Sequence, residues 1–229
     1  VLELTMSGPK IEFLVSTSIC ISGAFMSPTL NTNPIENNSL VVVSKGDILS
    51  FGKLILGFRS YLAVSGGIQT EAVMASRSMY HGITAQDRIK KGDELPIFEH
   101  NISNKKKFSN VKIDVDYLKW SVMEVYQGPE FFQLSEVQKE RLFSGSFTIS
   151  KENNRMAYQL NEVLKNDLNP IIKSSVLPGT VQLTPSGKLI ILMRDCQTTG
   201  GYPRVLQLSE QAVGILSQKF TGNSVCFKL

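Results

Sequence analysis

A mainly β chain with α+β parts is what this sequence of 229 residues predicts. Two observations carry the prediction. Short runs of β-type residues recur through the first hundred positions, separated by turn-forming residues, and helix-start signals occur only in the second half. The composition agrees with a packed chain, since 42% of residues are hydrophobic and 19% charged, a globular balance.

The β-type runs of the first half are Leu2–Met6, Ile11–Val15, Ser18–Ser22, Ser39–Ser44, Ile48–Phe51 and a long run from Leu54 to Val64. Turn residues at Asn31–Asn38, Lys45–Asp47 and Gly66–Gly67 separate several of them. Many short strands with regular turns suggest a barrel or a sandwich rather than βαβ units. Ser65-Gly66-Gly67 reads as a sharp turn leaving a strand. Ser44-Lys45-Gly46-Asp47 is echoed by Lys90-Lys91-Gly92-Asp93. Both read as Gly-Asp turns feeding β-type segments of one barrel, with glycine supplying a positive φ.

Three regions of distinct texture follow: a β-rich part over 1–100, a polar linker over 101–110 and an α+β part over 111–229. The first and last are compatible with one shared barrel. In the last part, Val111–Val115 and Val122–Val125 read as strands. Ser135 followed by Gln138 has capping-box spacing and predicts a helix to about Phe143. A second helix is expected from Ser209 to about Phe220, because Ala212, Ile215, Leu216 and Phe220 recur at helical intervals. Ser224–Lys228 reads as a closing strand.

The formal net charge is +4. Its two basic tracts, Arg88–Lys91 and Lys105–Lys107, read as solvated turn and linker, and without a recognition motif they argue against nucleic acid as a partner. No apolar run approaches the ~20 residues of a membrane span, and Val1–Lys10 lacks the form of a secretory signal. Three cysteines in no paired spacing argue against a disulfide framework and for a reducing, cytoplasmic setting. Two histidines without ligand-spaced partners make a zinc site or a serine–histidine–aspartate triad a poor expectation.

Thr180–Arg204 is the stretch that bears on chemistry. Thr184-Pro185-Ser186-Gly187 fits a type I turn between two strands, and Leu189–Met193 is apolar without alternation, as in a strand covered on both faces. If that strand continues, Arg194 and Asp195 point to opposite sides, as a solvated rim or as a site. Then come Asp195-Cys196-Gln197-Thr198-Thr199-Gly200-Gly201-Tyr202-Pro203. Gly200 and Gly201 let backbone N–H groups converge on an anion, Thr198 and Thr199 can donate to oxygens, and Asp195 can accept a proton or hold magnesium. The alternative is a tight turn whose hydroxyls satisfy only local backbone. No phosphate-binding loop of the G-x-x-x-x-G-K-[ST] kind occurs.

Gly200-Gly201-Tyr202-Pro203, with Pro178-Gly179, Gln182, Pro185 and Gly187 before it, resembles the allophanate hydrolase subunit 2 family. This is also called the biotin-dependent carboxyltransferase or KipA family and includes the C-subunit of 5-oxoprolinase. Leu2-Glu3-Leu4-Thr5 with Gly8-Pro9, Ile21-Ser22-Gly23-Ala24, Gly46-Asp47, Leu49-Ser50-Phe51-Gly52 and Tyr61–Ile68 match in order. Ser76-Arg77-Ser78, Gln127-Gly128-Pro129 and Asn154–Leu160 follow in place. Ala157 replaces a usual glycine, and Cys196 stands where arginine is frequent. The family's usual opening, with "TVQD-GR" and "SGAMD" motifs, precedes the point where this sequence begins. The resemblance therefore implies a fragment of a longer subunit or a shortened relative.

The resemblance implies a cyclophilin-like β-barrel and three alternative functions. In one, the chain is the C-subunit of an ATP-dependent 5-oxoprolinase, a hydrolase converting 5-oxoproline to glutamate. Its partners would be a KipI-like subunit (the B-subunit of 5-oxoprolinase, or allophanate hydrolase subunit 1) and a LamB/YcsF-like subunit, with ATP and magnesium as cofactors of the complex. In the second, it moves a carboxyl group from carboxybiotin, carried on a partner chain, to a urea-like acceptor. In the third, it is a non-catalytic regulator that binds a KipI-like kinase inhibitor. For the first two, Asp195 and Arg155 are the expected catalytic residues, although Arg155 also reads as a surface arginine in Lys151–Arg155. Gln182, Gln197, Thr198, Thr199, Gly200, Gly201, Tyr202 and Arg204 are the expected substrate-binding residues. Asp195–Pro203 is expected to form a rigid cradle for oxygen atoms at a barrel mouth.

Overall fold

The computed structural model describes residues 1–100 and 113–229. The chain forms two compact units, Val1–Asp114 and Val115–Leu229. The expected linker over 101–110 lies outside the described residues.

Among the described residues the first unit has eight strands: β1 (Leu2–Thr5), β2 (Ile11–Glu12), β3 (Thr17–Phe25), β4 (Thr29–Leu30), β5 (Asn33–Pro34), β6 (Leu40–Val43), β7 (Ile48–Ser50) and β8 (Leu56–Val64). They make two four-stranded sheets, ordered β1-β8-β3-β6 and β2-β7-β4-β5. Alternation along β3 turns Ile19 and Ile21 inward, where Val43, Leu49 and Leu62 complete a shared core with Phe13. Gly46 and Gly92 have φ of 90° and 92°. In each turn the aspartate carboxylate accepts a backbone N–H three residues back, Ser44 to Asp47 and Lys90 to Asp93, both at 2.7 Å. The echo is thus a repeated turn. The second copy feeds no strand, however, only the isolated bridge between Ile68 and Ile97, and neither copy lies in the barrel described next. Both glycines of Gly66-Gly67 take positive φ in the turn that follows β8.

The second unit contains β9 (Val122–Gln127), α1 (Glu136–Ser144), β10 (Phe147–Asn153), β11 (Ala157–Val163), β12 (Ser174–Ser175), β13 (Thr180–Leu183), β14 (Lys188–Leu192), β15 (Thr199–Gly200), β16 (Arg204–Leu208), α2 (Glu210–Ser217) and β17 (Ser224–Lys228). Seven of these strands close a barrel in the order β10-β11-β14-β13-β16-β9-β17. An odd number of strands cannot alternate direction around a closed ring, so one neighbouring pair must be parallel; here it is β9 with β17. All barrel strands come from 122–228, so no strand of the first hundred residues enters the barrel.

Each barrel strand contributes inward residues at i and i+2, as the pleat requires. The pairs are Met123/Val125, Phe147/Ile149, Tyr158/Leu160, Val181/Leu183, Leu189/Ile191, Leu206/Leu208 and Val225/Phe227, all within one buried cluster. The 184–187 turn forms as expected. Gly187 donates its N–H to the Thr184 carbonyl at 2.9 Å, and its φ is +84°. On β14, Leu189, Ile191 and Leu192 are buried, whereas Ile190 is only half-buried.

Both helices start where their caps dictate. Ser135 Oγ accepts from Gln138 N–H, and Gln138 Oε1 accepts from Ser135 N–H at 2.8 Å. Ser209 caps α2, whose Ala212, Val213, Ile215 and Leu216 are buried. One strand expectation fails. Ile113–Val115 is irregular and runs into a 3-10 turn, Asp116–Lys119. That turn is anchored by buried Leu118 and by Lys219 Nζ, which donates to the Leu118 carbonyl at 2.8 Å.

Candidate functional site

β14 ends at Leu192, so Arg194 and Asp195 diverge through a turn rather than through strand alternation. Cys196 N–H donates to the Met193 carbonyl at 3.1 Å and closes that turn. Next to it lies the β10–β11 connection, where Asn154 Oδ1 accepts the backbone N–H groups of Met156 and Ala157 at 2.7 and 3.1 Å. An Asx-type turn of this sort fixes a short loop by a side chain. The two turns are tied together by Met193 N–H to Met156 O at 2.8 Å and Asp195 N–H to Arg155 O at 3.0 Å. Arg155 Nε and Asp195 Oδ2 consequently stand 3.3 Å apart. The pair is reachable from solvent, with side chains 47% and 33% exposed. Arg194 turns away to pair with Glu210 at the start of α2. Burial pushes the Cys196 thiol pKa up, and the neighbouring Asp195 charge adds to this, which disfavours the thiolate.

From this turn at the strand ends the chain passes to the outer wall of the barrel, where Gly200 packs on Gln182. Val181 and Leu183 face the barrel core, so Gln182 between them faces out. It pairs in register with Ile190 on one side and Arg204 on the other. β12 and β15 form a two-stranded ribbon, with Ser174 opposite Gly200 and Ser175 opposite Thr199. This ribbon covers Gln182. A Cβ built on Gly200 would lie 2.2 Å from Gln182 Nε2 and 3.1 Å from Val176 Cγ1. Gly200 and Gly201 have no positive φ; close approach, and not a left-handed turn, is what Gly200 supplies. Gln182 is 2% exposed, and its Nε2 has no hydrogen-bond partner among the described residues. Thr199, within the ribbon, and Gln197, Thr198 and Tyr202, beside it in the chain, are exposed.

The far end of the segment is set by a residue that the sequence reading missed. Gly128 N–H donates to Val205 O and Glu130 N–H to Arg204 O, prolonging the β9–β16 pairing past Gln127. Glu130 then meets Arg204 through three contacts: Nε to Oε2 at 2.9 Å, Nη2 to Oε1 at 2.8 Å and the backbone N–H to Oε2 at 2.8 Å. Arg204 Nη1 donates to the Ser175 carbonyl at 3.0 Å. The guanidinium is thus engaged by the protein, holding the ribbon. Hydrogen bonding to Arg204 holds the Glu130 carboxyl below the usual range despite its burial, and Glu130 raises Arg204 in turn. Gly128-Pro129, one of the motifs in the sequence, directly precedes Glu130 and was the available signal. A Cβ on Gly128 would lie 2.1 Å from the Arg204 carbonyl oxygen.

The predicted residues therefore fall into two groups. Arg155 and Asp195 meet where β14 ends and β11 begins, while Gln182, Gly200 and Arg204 meet on the wall at the ribbon. Among the described residues no group of three or more His, Cys, Asp or Glu could hold a metal ion, and no helix is long and apolar enough to cross a membrane.

The fold is mainly β: two four-stranded sheets in the first unit, and in the second a closed seven-stranded β-barrel with a two-stranded strap on its outer wall. The chain belongs to the carboxyltransferase domain family: the family model "Carboxyltransferase domain, subdomain A and B" matches residues 1–229. It is 31% identical over 233 residues to the C-subunit of 5-oxoprolinase from Escherichia coli (strain K12), covering 99% of this chain and 74% of that protein. It is 47% identical over 79 residues to urea amidolyase of Lachancea kluyveri, covering 34% of this chain and 4% of that protein. The crystal structure of the K. lactis urea amidolyase superposes with a TM-score of 0.79 at 24% identity, over 98% of this chain and 15% of that one.

Proposed function

We propose that this chain is the C-subunit of an ATP-dependent 5-oxoprolinase, working with a KipI-like subunit and a LamB/YcsF-like subunit to open 5-oxoproline to L-glutamate. The observation that supports this most is the likeness to the Escherichia coli 5-oxoprolinase chain over 99% of this one. Opening a lactam requires an oxygen nucleophile to reach the carbonyl carbon while negative charge builds on the carbonyl oxygen, which fixed donors and a cation stabilise. In this reading Arg155 is the cation, and Asp195 takes the proton from the attacking water and returns it to the ring nitrogen as the lactam C–N bond breaks. Thr198, Thr199 and the Gly200–Gly201 backbone donate to oxygens; Gln182, Gln197 and Tyr202 orient the substrate. Arg204 is assigned to holding the ribbon, since its donors are spent on Glu130 and Ser175.

The described residues do not fit a magnesium–nucleotide site. The carboxylate of the candidate site, Asp195, is paired with Arg155, and no further acidic ligands gather around it among the described residues. ATP handling is therefore assigned to the partner subunits. A second reading, carboxyl transfer from biotin on another chain to a urea-like acceptor, is favoured by the 47% identity to urea amidolyase. Gln182 and the exposed Thr198 and Thr199 are donors and acceptors suited to a ureido group, which when carboxylated would supply the carboxyl being moved.

The test is co-purification with the KipI-like partner, then ATP hydrolysis measured with all three subunits with and without 5-oxoproline. Stimulation by 5-oxoproline is expected. Its absence, with urea-dependent decarboxylation of a carboxybiotin carrier instead, would move the assignment to the second reading.

A further inference from the structure

Gln182 presents a physical contradiction that the roles above do not resolve. Buried amide donors are almost always paired, yet Gln182 Nε2, at 2% exposure, has no acceptor among the described residues. What covers it is not the barrel but the β12–β15 ribbon, two residues per strand and separate from the barrel sheet. Gly200 lies directly on the amide. The barrel side chain that ties the ribbon down is Arg204, through the Ser175 carbonyl, and Arg204 is aimed by Glu130.

We infer that the ribbon is a lid over a recognition group: when it lifts, the Gln182 carboxamide pairs with a cis-amide edge of a small ligand, and Glu130 is the positioning residue that sets how tightly the lid closes. The chemistry follows from the carboxamide itself. It offers an N–H donor and a carbonyl acceptor side by side. The complement is a group with C=O and N–H on the same edge, as in a lactam, a urea or a cyclic ureide. A trans amide, such as a peptide, presents the two on opposite edges. A carboxylate presents acceptors alone and would leave Oε1 facing like charge. The inference rests on the reading above only in taking the ligand to be a lactam or urea; it needs neither ATP nor the partner subunits.

A lid closed in the free protein lowers apparent affinity by the fraction of time it is closed. Weakening the latch must then tighten binding, which a site needing a fixed ribbon would not do. The experiment titrates the protein with 2-pyrrolidinone and with N-methyl-2-pyrrolidinone, which lacks the N–H. The readout is the Gln182 side-chain amide resonances, assigned by their loss in Gln182→Met, together with calorimetry. The expected result is that 2-pyrrolidinone shifts those resonances and binds about tenfold more tightly than its N-methyl analogue, the equivalent of one hydrogen bond. Gln182→Met should abolish that preference while leaving the fold intact, because it removes an unpaired buried amide. Glu130→Gln should raise affinity several-fold and keep the preference. Equal binding of the two probes, an unchanged preference in Gln182→Met, unchanged or weaker binding in Glu130→Gln, or no shift at the highest probe concentration that leaves the protein folded would each overturn the inference. If the binding pattern holds but 5-oxoproline fails to stimulate ATP hydrolysis in the assembled complex, the proposed function falls and the lid stands. If stimulation occurs with a KM unaffected by Gln182→Met, the reverse is true.

Discussion

Replacing Glu130 by glutamine should destabilise the second unit by about 2 kcal/mol. Breaking one side of a buried pair costs about 3–5 kcal/mol when a charge is left stranded. Here the two side chains are 13% and 18% exposed, and glutamine retains one acceptor oxygen, so a cost below that range, about 2 kcal/mol, is expected. At roughly 4–8 °C per kcal/mol for a unit of this size, the midpoint should fall by about 10 °C. Urea denaturation of wild type, Glu130→Gln, Arg204→Met and the double variant isolates the pair, with a coupling of about 2 kcal/mol expected. The pH dependence has a definite sign. Arg204 holds the Glu130 carboxyl below its ordinary value in the folded state. The stability it adds is therefore complete above the unfolded value of about 4.3 and is lost as pH falls through the lowered folded value. The gap between wild type and Glu130→Gln should be full at pH 7 and close in acid. A gap below about 0.5 kcal/mol at pH 7, the range of an ordinary surface substitution, or one that does not narrow in acid, would refute the reasoning.

Two further predictions concern the scaffold. Lys219 is 7% exposed, and burial pushes its ammonium pKa down. Between that lowered value and the unfolded value of about 10.4, the unfolded chain binds more protons, so wild-type stability rises with pH. Lys219→Met should be within about 1 kcal/mol of wild type at pH 7, as for other buried charges replaced by apolar groups, and lose ground to it as pH approaches 10, read by denaturant melts across that range. Gly187→Ala meets both a φ of +84° and Val163 Cγ1 at 2.4 Å from the new Cβ. It should cost about 2 kcal/mol or more, measured by thermal unfolding, whereas Gly46→Ala, with open space around it, should lose only what its φ costs.

Local chemistry was legible in the sequence where the cause is local. The capping box at Ser135 and Gln138, the 184–187 turn and the Ser209 cap each need only residues within a few positions, and each forms. The strand at Val111–Val115 fails over its described part because an alternating pattern states which face is apolar and says nothing about a partner strand; Ile113–Val115 pairs with none of the described strands. The Arg155–Asp195 pair could be anticipated from residue types, but its geometry depends on two turns meeting through Met156 and Met193. Glu130 was invisible for the same reason: it lies 74 residues from Arg204 and is brought there by strand pairing alone. The close approach of Gly200 to Gln182 is not legible in the sequence, because glycine serves both turns and close contacts and only the fold reveals which.

The proposed function requires the two groups, the Arg155–Asp195 pair and the strap running to Pro203, to act on one substrate. It is tested most directly by steady-state kinetics of the assembled three-subunit complex carrying Asp195→Asn or Arg155→Ala. Loss of a positioned general base or of an oxyanion-stabilising charge costs about 10²–10³-fold in kcat. Each variant should show a fall of that size in 5-oxoproline-dependent turnover, with assembly of the complex and thermal midpoint unchanged. Turnover at the wild-type rate in both variants would contradict the account and leave the barrel and its strap as a scaffold for chemistry located elsewhere.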